Sequence, residues 1–167
     1  MTKRGTTGMF DVLVIFGPNL NMLGPREPEI YGADSMADIM GALSDQAVDL
    51  GRRIEMMQSN DEGVLVTAIQ KARSDAAAIL FNLAAYTHTS VALRDALAMF
   101  DGPKVEVHLS NNDRRETFRQ VSLTAGVSDG SIVGFGADSF RLGLDAVHRL
   151  LLRREGAGAI RQIWGGD

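Results

Sequence analysis

Asp11-Val-Leu-Val-Ile-Phe16, followed at once by Gly17-Pro-Asn-Leu-Asn-Met-Leu-Gly-Pro-Arg-Glu-Pro-Glu-Ile-Tyr-Gly32, decides how the rest of the chain is read. The first six residues form an apolar run of strand length without alternation, the pattern of a strand covered on both faces. The next sixteen hold three of the four prolines, three glycines, Asn19, Asn21, Arg26 and Tyr31. A long connection with no periodicity of its own is usually functional or disordered. Rigid backbone positions interleaved with polar side chains favour a functional loop, here read as a lid.

Downstream, strand and helix patterns alternate. Ser35 and Asp38 form a capping box ahead of Met36, Ile39, Met40, Leu43, Ala47 and Leu50, which repeat at helical spacing. Gly51 closes that helix. Residues 52–58 read as a second strand, and Val64, Leu65, Ala68, Ile69 and Ala72 as a second helix. Ala76 to Phe81 is a short buried third strand, 89–100 a third helix, and Lys104-Val-Glu-Val-His-Leu109 a fourth strand with Glu106 and His108 on one face. A short polar helix is expected over 113–118, a fifth strand over 131–135, and a last helix striped by Phe140, Leu144, Val147 and Leu151. Strands alternating with helices imply an α/β fold in three layers: an open, parallel, five-stranded sheet with right-handed crossovers. Strand order 2-1-3-4-5 is the simplest arrangement. The organisation read from the chain is a leader at 1–10, one domain at 11–155 and a C-terminal tail at 156–167.

Composition narrows the function. The 167 residues, 45% hydrophobic, suit a single core. A net charge of -4 and a pI near 5.3 argue against nucleic acid or an anionic membrane as partner. There is no cysteine, which removes disulfides and thiolate chemistry and fits a cytoplasmic location. Met1 to Phe10 lacks the apolar core of a secretory signal, and no later stretch has the length of a membrane span.

In open parallel sheets ligands bind beyond the carboxyl ends of the strands, beside the switch in strand order. Asn19, Arg26 and Tyr31 follow the first strand, Asn82 and His88 the third, and His108, Leu109 and Ser110 end the fourth. Three polar clusters therefore converge on one edge. With one Tyr, two His, two Asn and several Arg, this edge suits proton transfer on a small anionic molecule. Tyrosine becomes a usable base when a guanidinium favours its phenolate, and Arg26 lies in the same loop. Arg115 and Arg119 are spaced to face the edge together. Glu106 is better placed to orient His108 than to bind metal, so no metal site is expected. Arg94 and Asp95 suit a solvated face or a subunit contact.

The segments Gly17 to Gly32, Gln58-Ser-Asn60, Tyr86-Thr-His-Thr-Ser-Val-Ala-Leu-Arg-Asp95, Glu106-Val-His-Leu-Ser-Asn111 and Ile132-Val-Gly-Phe-Gly-Ala-Asp138 together resemble type II 3-dehydroquinate dehydratase, in order and across residues 11–150. The resemblance implies a flavodoxin-like domain in a homododecamer, a tetramer of trimers. It also implies a cofactor-free and metal-free dehydration of 3-dehydroquinate to 3-dehydroshikimate, serving the shikimate pathway or quinate breakdown. Carried over, Tyr31 is the base, assisted by Arg26; Asn19 stabilises the enolate through water; and His108 is the general acid, oriented by Glu106 and Asn82. Leu109 and Ser110 hold the substrate carboxylate, His88 and Arg119 its hydroxyls, Arg115 supports the loop, and Asp95 reaches in from a neighbouring subunit. Asp61, Asp113, Gln120 and Val121 depart from the family's usual residues, and Leu83-Ala84 replaces Pro-Gly. Those departures keep an alternative open, a binding or regulatory protein with weak turnover.

Overall fold

A computed structural model describes residues 8–24 and 34–164. Its core is one five-stranded sheet: β1 (Val12–Phe16), β2 (Ile54–Gln58), β3 (Ala78–Asn82), β4 (Lys104–His108) and β5 (Gly130–Val133). The order is β2-β1-β3-β4-β5 and every pairing is parallel, as expected from the alternation of elements. Among the described residues, four α-helices cover the faces: α1 (Met36–Asp49), α2 (Glu62–Asp75), α3 (Val91–Ala98) and α4 (Asp138–Trp164).

Side chains alternate across each strand, and this divides the core in two. Val12, Val14, Phe16, Leu80, Val105 and Val107 pack with Ile39 and Leu43 of α1 and with Phe140, Leu144 and Val147 of α4. Leu13, Ile15, Ile79 and Phe81 pack with Leu65 and Ile69 of α2 and with Leu93 and Leu97 of α3. All five residues of β1 and of β3 are buried, which is why both read as unbroken apolar runs.

Capping residues mark the helix starts. Ser35 and Asp38 close the expected capping box on α1, Asp61 accepts from Val64 N–H at 2.9 Å on α2, and Ser90 accepts from Leu93 N–H at 2.9 Å on α3. Asp61 is thus a helix cap.

Several boundaries differ from the sequence reading. The second strand begins at Ile54, because the Arg52 backbone still closes α1, its N–H donating to the Ala47 carbonyl at 2.8 Å, while its side chain pairs with Glu155 of α4 at 2.8 Å. The third helix spans 91–98 rather than 89–100, starting after its Ser90 cap and ending ahead of Gly102-Pro103. The fifth strand ends at Val133 because Gly134 turns away with φ 96°. In place of one polar helix at 113–118 there are two short 3-10 turns, Asn112–Arg114 and Thr117–Gln120, separated by extended backbone at Arg115 and Glu116. That segment has no apolar stripe to bury, and so short a helix is not stable without one.

Candidate active site

The site is assembled where β1, β3 and β4 end. Gly17 leaves β1 with its N–H on the carbonyl of Asn82 at 2.7 Å, and a Cβ at this position would lie 2.6 Å from the carbonyl carbon of Leu83. Only glycine lets the two strand exits approach so closely. Asn19 follows in a left-handed conformation, φ 66°, with its N–H on Asn60 Oδ1 at 2.9 Å. The same Oδ1 accepts from Gln58 Nε2 at 3.0 Å, while the Asn60 carbonyl accepts from Tyr86 Oη at 2.9 Å. Asn60 thereby ties together the loop after β1, the end of β2 and the turn after β3.

At the end of β3, buried Asn82 turns its Oδ1 back to accept from Ala84 N–H at 2.9 Å. Ala84 takes φ 50°, an unusual conformation for a residue with a Cβ, and begins a 3-10 turn over Ala84–His88. His88 Nδ1 lies 2.8 Å from the carbonyl of Val121. A carbonyl only accepts, so Nδ1 carries the proton and Nε2 is left for the cleft.

At the end of β4, Glu106 and His108 do share a face. His108 Nε2 meets Glu106 Oε1 at 2.6 Å, with both side chains buried. The imidazoles of His88 and His108 lie nearly parallel, 20° apart in plane and 6.3 Å between centroids. Arg115 donates to Ser110 Oγ at 3.2 Å, and Arg119 donates through Nε to Glu116 at 2.8 Å while stacking 5.0 Å from the Phe118 ring. The Glu116 carboxyl is held below its ordinary range by its own backbone N–H and by the Arg119 hydrogen bond. It therefore stays an anion that orients Arg119.

Asn19, Asn82, His88, His108, Leu109, Ser110, Arg115 and Arg119 line one cleft with about 720 Å³ of empty space, part of it open to solvent. The described members of the strand-end clusters thus line one cleft, together with Arg115, from the extended backbone between the two 3-10 turns, and Arg119, from the second turn. Glu106 sits behind His108 and does not line the cleft. Asp95 lies exposed on α3, paired with Arg94 at 3.0 Å, away from the cleft of its own chain. Arg26 and Tyr31 lie outside the described residues. A larger groove beside β2 and α2 contains neither histidine nor any of the residues expected at the site. Among the described residues, no three His, Asp or Glu side chains gather to hold a metal ion.

One contributor was not anticipated. Ser122 Oγ lies 2.9 and 3.0 Å from the two carboxylate oxygens of Glu106. It falls in a stretch without periodicity, so no spacing signal marks it.

Residues 10–148 match the family model described as dehydroquinase class II. The chain belongs to the class II dehydroquinases. Among its relatives, a 3-dehydroquinate dehydratase of Synechocystis is 54% identical over 141 residues, covering 84% of this chain and 93% of that one. One of Stenotrophomonas maltophilia is 53% identical over 152 residues, covering 90% of this chain and all of the relative. The crystal structure of a type II dehydroquinase from Butyrivibrio crossotus superposes with a TM-score of 0.81 at 40% identity, covering 82% of this chain and 96% of that one. In this class II dehydroquinase the cleft presents an imidazole backed by a buried carboxylate, two guanidinium groups and a rim of amide and hydroxyl groups.

Proposed function

We propose that this cleft dehydrates 3-dehydroquinate to 3-dehydroshikimate through an enolate, without a cofactor. Tyr31, as a phenolate favoured by Arg26, removes the proton on the carbon alpha to the ketone, and its electron pair moves to the ketone oxygen. Asn19 stabilises the enolate through a bound water. When the enolate collapses, the carbon–oxygen bond at the next ring position breaks and His108 delivers a proton to the departing hydroxyl, so that water leaves.

The observation that carries this reading is the His108–Glu106 pair. With Nε2 committed to Glu106 at 2.6 Å, Nδ1 is the nitrogen available to the cleft, and the buried carboxylate fixes the orientation of the ring that serves as the acid. Leu109 and Ser110, at the end of β4, hold the substrate carboxylate with backbone and hydroxyl donors. His88 and Arg119 hold ring hydroxyls, Arg115 supports the loop and Asn82 steadies the floor of the cleft. Asp95, exposed on α3, contributes to a neighbouring subunit's site in a homododecamer.

Purified protein mixed with 3-dehydroquinate should develop the ultraviolet absorbance of a conjugated enone, and Tyr31→Phe should reduce that rate by at least ~100-fold. No rise in absorbance, or equal rates for the two proteins, would refute the assignment. Calorimetric binding without product would instead favour a binding protein that retains the pocket.

A further inference from the structure

The Glu106 carboxylate is fully buried and is met by two side chains, His108 and Ser122. His108 Nε2 approaches Oε1, and the Ser122 hydroxyl lies almost equidistant from Oε1 and Oε2. The hydroxyl itself is directed. Ala125 N–H donates to Ser122 Oγ at 2.9 Å, and Oγ1 of buried Thr124 lies 3.2 Å away. Because Ser122 Oγ accepts from the amide, its one proton is free to point at Glu106, and Thr124 can donate into the same oxygen. The result is a file of donors, Thr124 to Ser122 to Glu106, ending on the carboxylate that also holds His108. Such chains strengthen each bond in a low-dielectric interior.

The same short segment also sets the other imidazole. The Val121 carbonyl accepts from His88 Nδ1, and Leu123 N–H donates to the Thr87 carbonyl at 2.9 Å. Val121 to Leu123 is therefore stitched to the turn that bears His88 while its central hydroxyl braces the carboxylate behind His108.

We propose that Ser122 is a positioning residue for the general acid: its hydroxyl fixes the Glu106 carboxylate in one orientation, and so holds the His108 ring with Nδ1 turned to the cleft. This rests on the reading of His108 as the acid. Ser122 does not line the cleft, so its effect must pass through Glu106. Without the hydroxyl, the buried carboxylate loses the Ser122 hydrogen bonds to both its oxygens and is free to rotate away from His108 Nε2.

Ser122→Ala should lower kcat by about 10- to 100-fold, the range for losing a hydrogen bond to a charged group, with KM within about twofold. Ser122→Thr, which restores the hydroxyl, should recover most of the loss. Nitrogen NMR of the His108 ring supplies a readout that needs no turnover: in Ser122→Ala the Nε2 signal should shift as its hydrogen bond to Glu106 loosens. Unchanged ring signals, or equal kcat losses in the alanine and threonine variants at matched melting temperature, would overturn the proposal. If the wild type itself fails to turn over 3-dehydroquinate, the catalytic reading fails, while the ring signals still decide whether Ser122 controls His108.

Discussion

Replacing Ala84 by glycine tests how much strain the cleft carries in its own backbone. Ala84 sits at φ 50° directly after Asn82, held there by the bond from its N–H to Asn82 Oδ1, and it lines the cleft beside His88 and His108. A left-handed conformation costs a residue with a Cβ about 1–2 kcal/mol. Glycine removes that cost but has a more disordered unfolded chain, which takes back about 0.4–1 kcal/mol. The net expectation for Ala84→Gly is therefore stabilisation of about 0.5–1 kcal/mol, or a melting temperature raised by about 1–4 °C for a domain of this size. A β-branched residue fits the left-handed region worse than alanine, so Ala84→Val should lower the melting temperature. Thermal melts followed by circular dichroism, with urea titrations to check that the m-value is constant, would measure both. A destabilised glycine variant would refute the reasoning, since it would mean that the alanine methyl contributes more by packing than its backbone costs. The glycine variant also clears a methyl group from the cleft wall, so steady-state rates on the same samples report whether that methyl impedes substrate.

Two further outcomes follow from other parts of the molecule. Gly17→Ala drives a Cβ to 2.6–2.8 Å from three backbone atoms of Leu83, which cannot swing aside as a side-chain tip could; a loss of about 2–3 kcal/mol by urea denaturation is expected, and a loss under about 0.5 kcal/mol would show that the strand exits can separate freely. Glu155 binds Arg52 at 2.8 and 3.2 Å, and its carboxyl is held below the ordinary range by the Arg52 hydrogen bonds, against a smaller opposing effect of burial. A depressed folded-state pKa means that the stabilisation is complete above the unfolded-state value and disappears as pH falls through the folded-state one. Glu155→Gln should therefore lower stability at neutral pH by about 0.5 kcal/mol, the carboxylate being partly exposed and screened, and the difference should vanish below about pH 3. Melting curves across pH would check this, and an equal difference in acid would show that the loss is one of packing.

Arg52 illustrates where sequence and structure part company. Its position between a helix-ending glycine and an apolar strand makes it read as strand, yet it donates to Glu155 and, through Nε, to His148 Nδ1 at 3.1 Å, so that it joins the end of α1 to α4. Partners 96 and 103 residues away leave no local trace. The same holds for Asn60, 41 residues from Asn19, and for Ser122, 16 from Glu106.

What the chain determines by itself is whatever depends on neighbours a few residues apart. The unbroken apolar run at Val12–Phe16, the capping box at Ser35, and the alternation that puts Glu106 and His108 on one face all follow from local periodicity and turn chemistry, and parallel strands then oblige the polar ends of β1, β3 and β4 to gather at one edge. Tertiary structure decides the rest. That Ala84 is left-handed, that residues 112–120 make two 3-10 turns and still deliver Arg115 and Arg119, and that one serine hydroxyl meets both oxygens of a buried carboxylate are results of packing between distant segments. The physical reason is that a hydrogen bond of the interior is specified by where two elements are brought together, and no periodicity within either one records it.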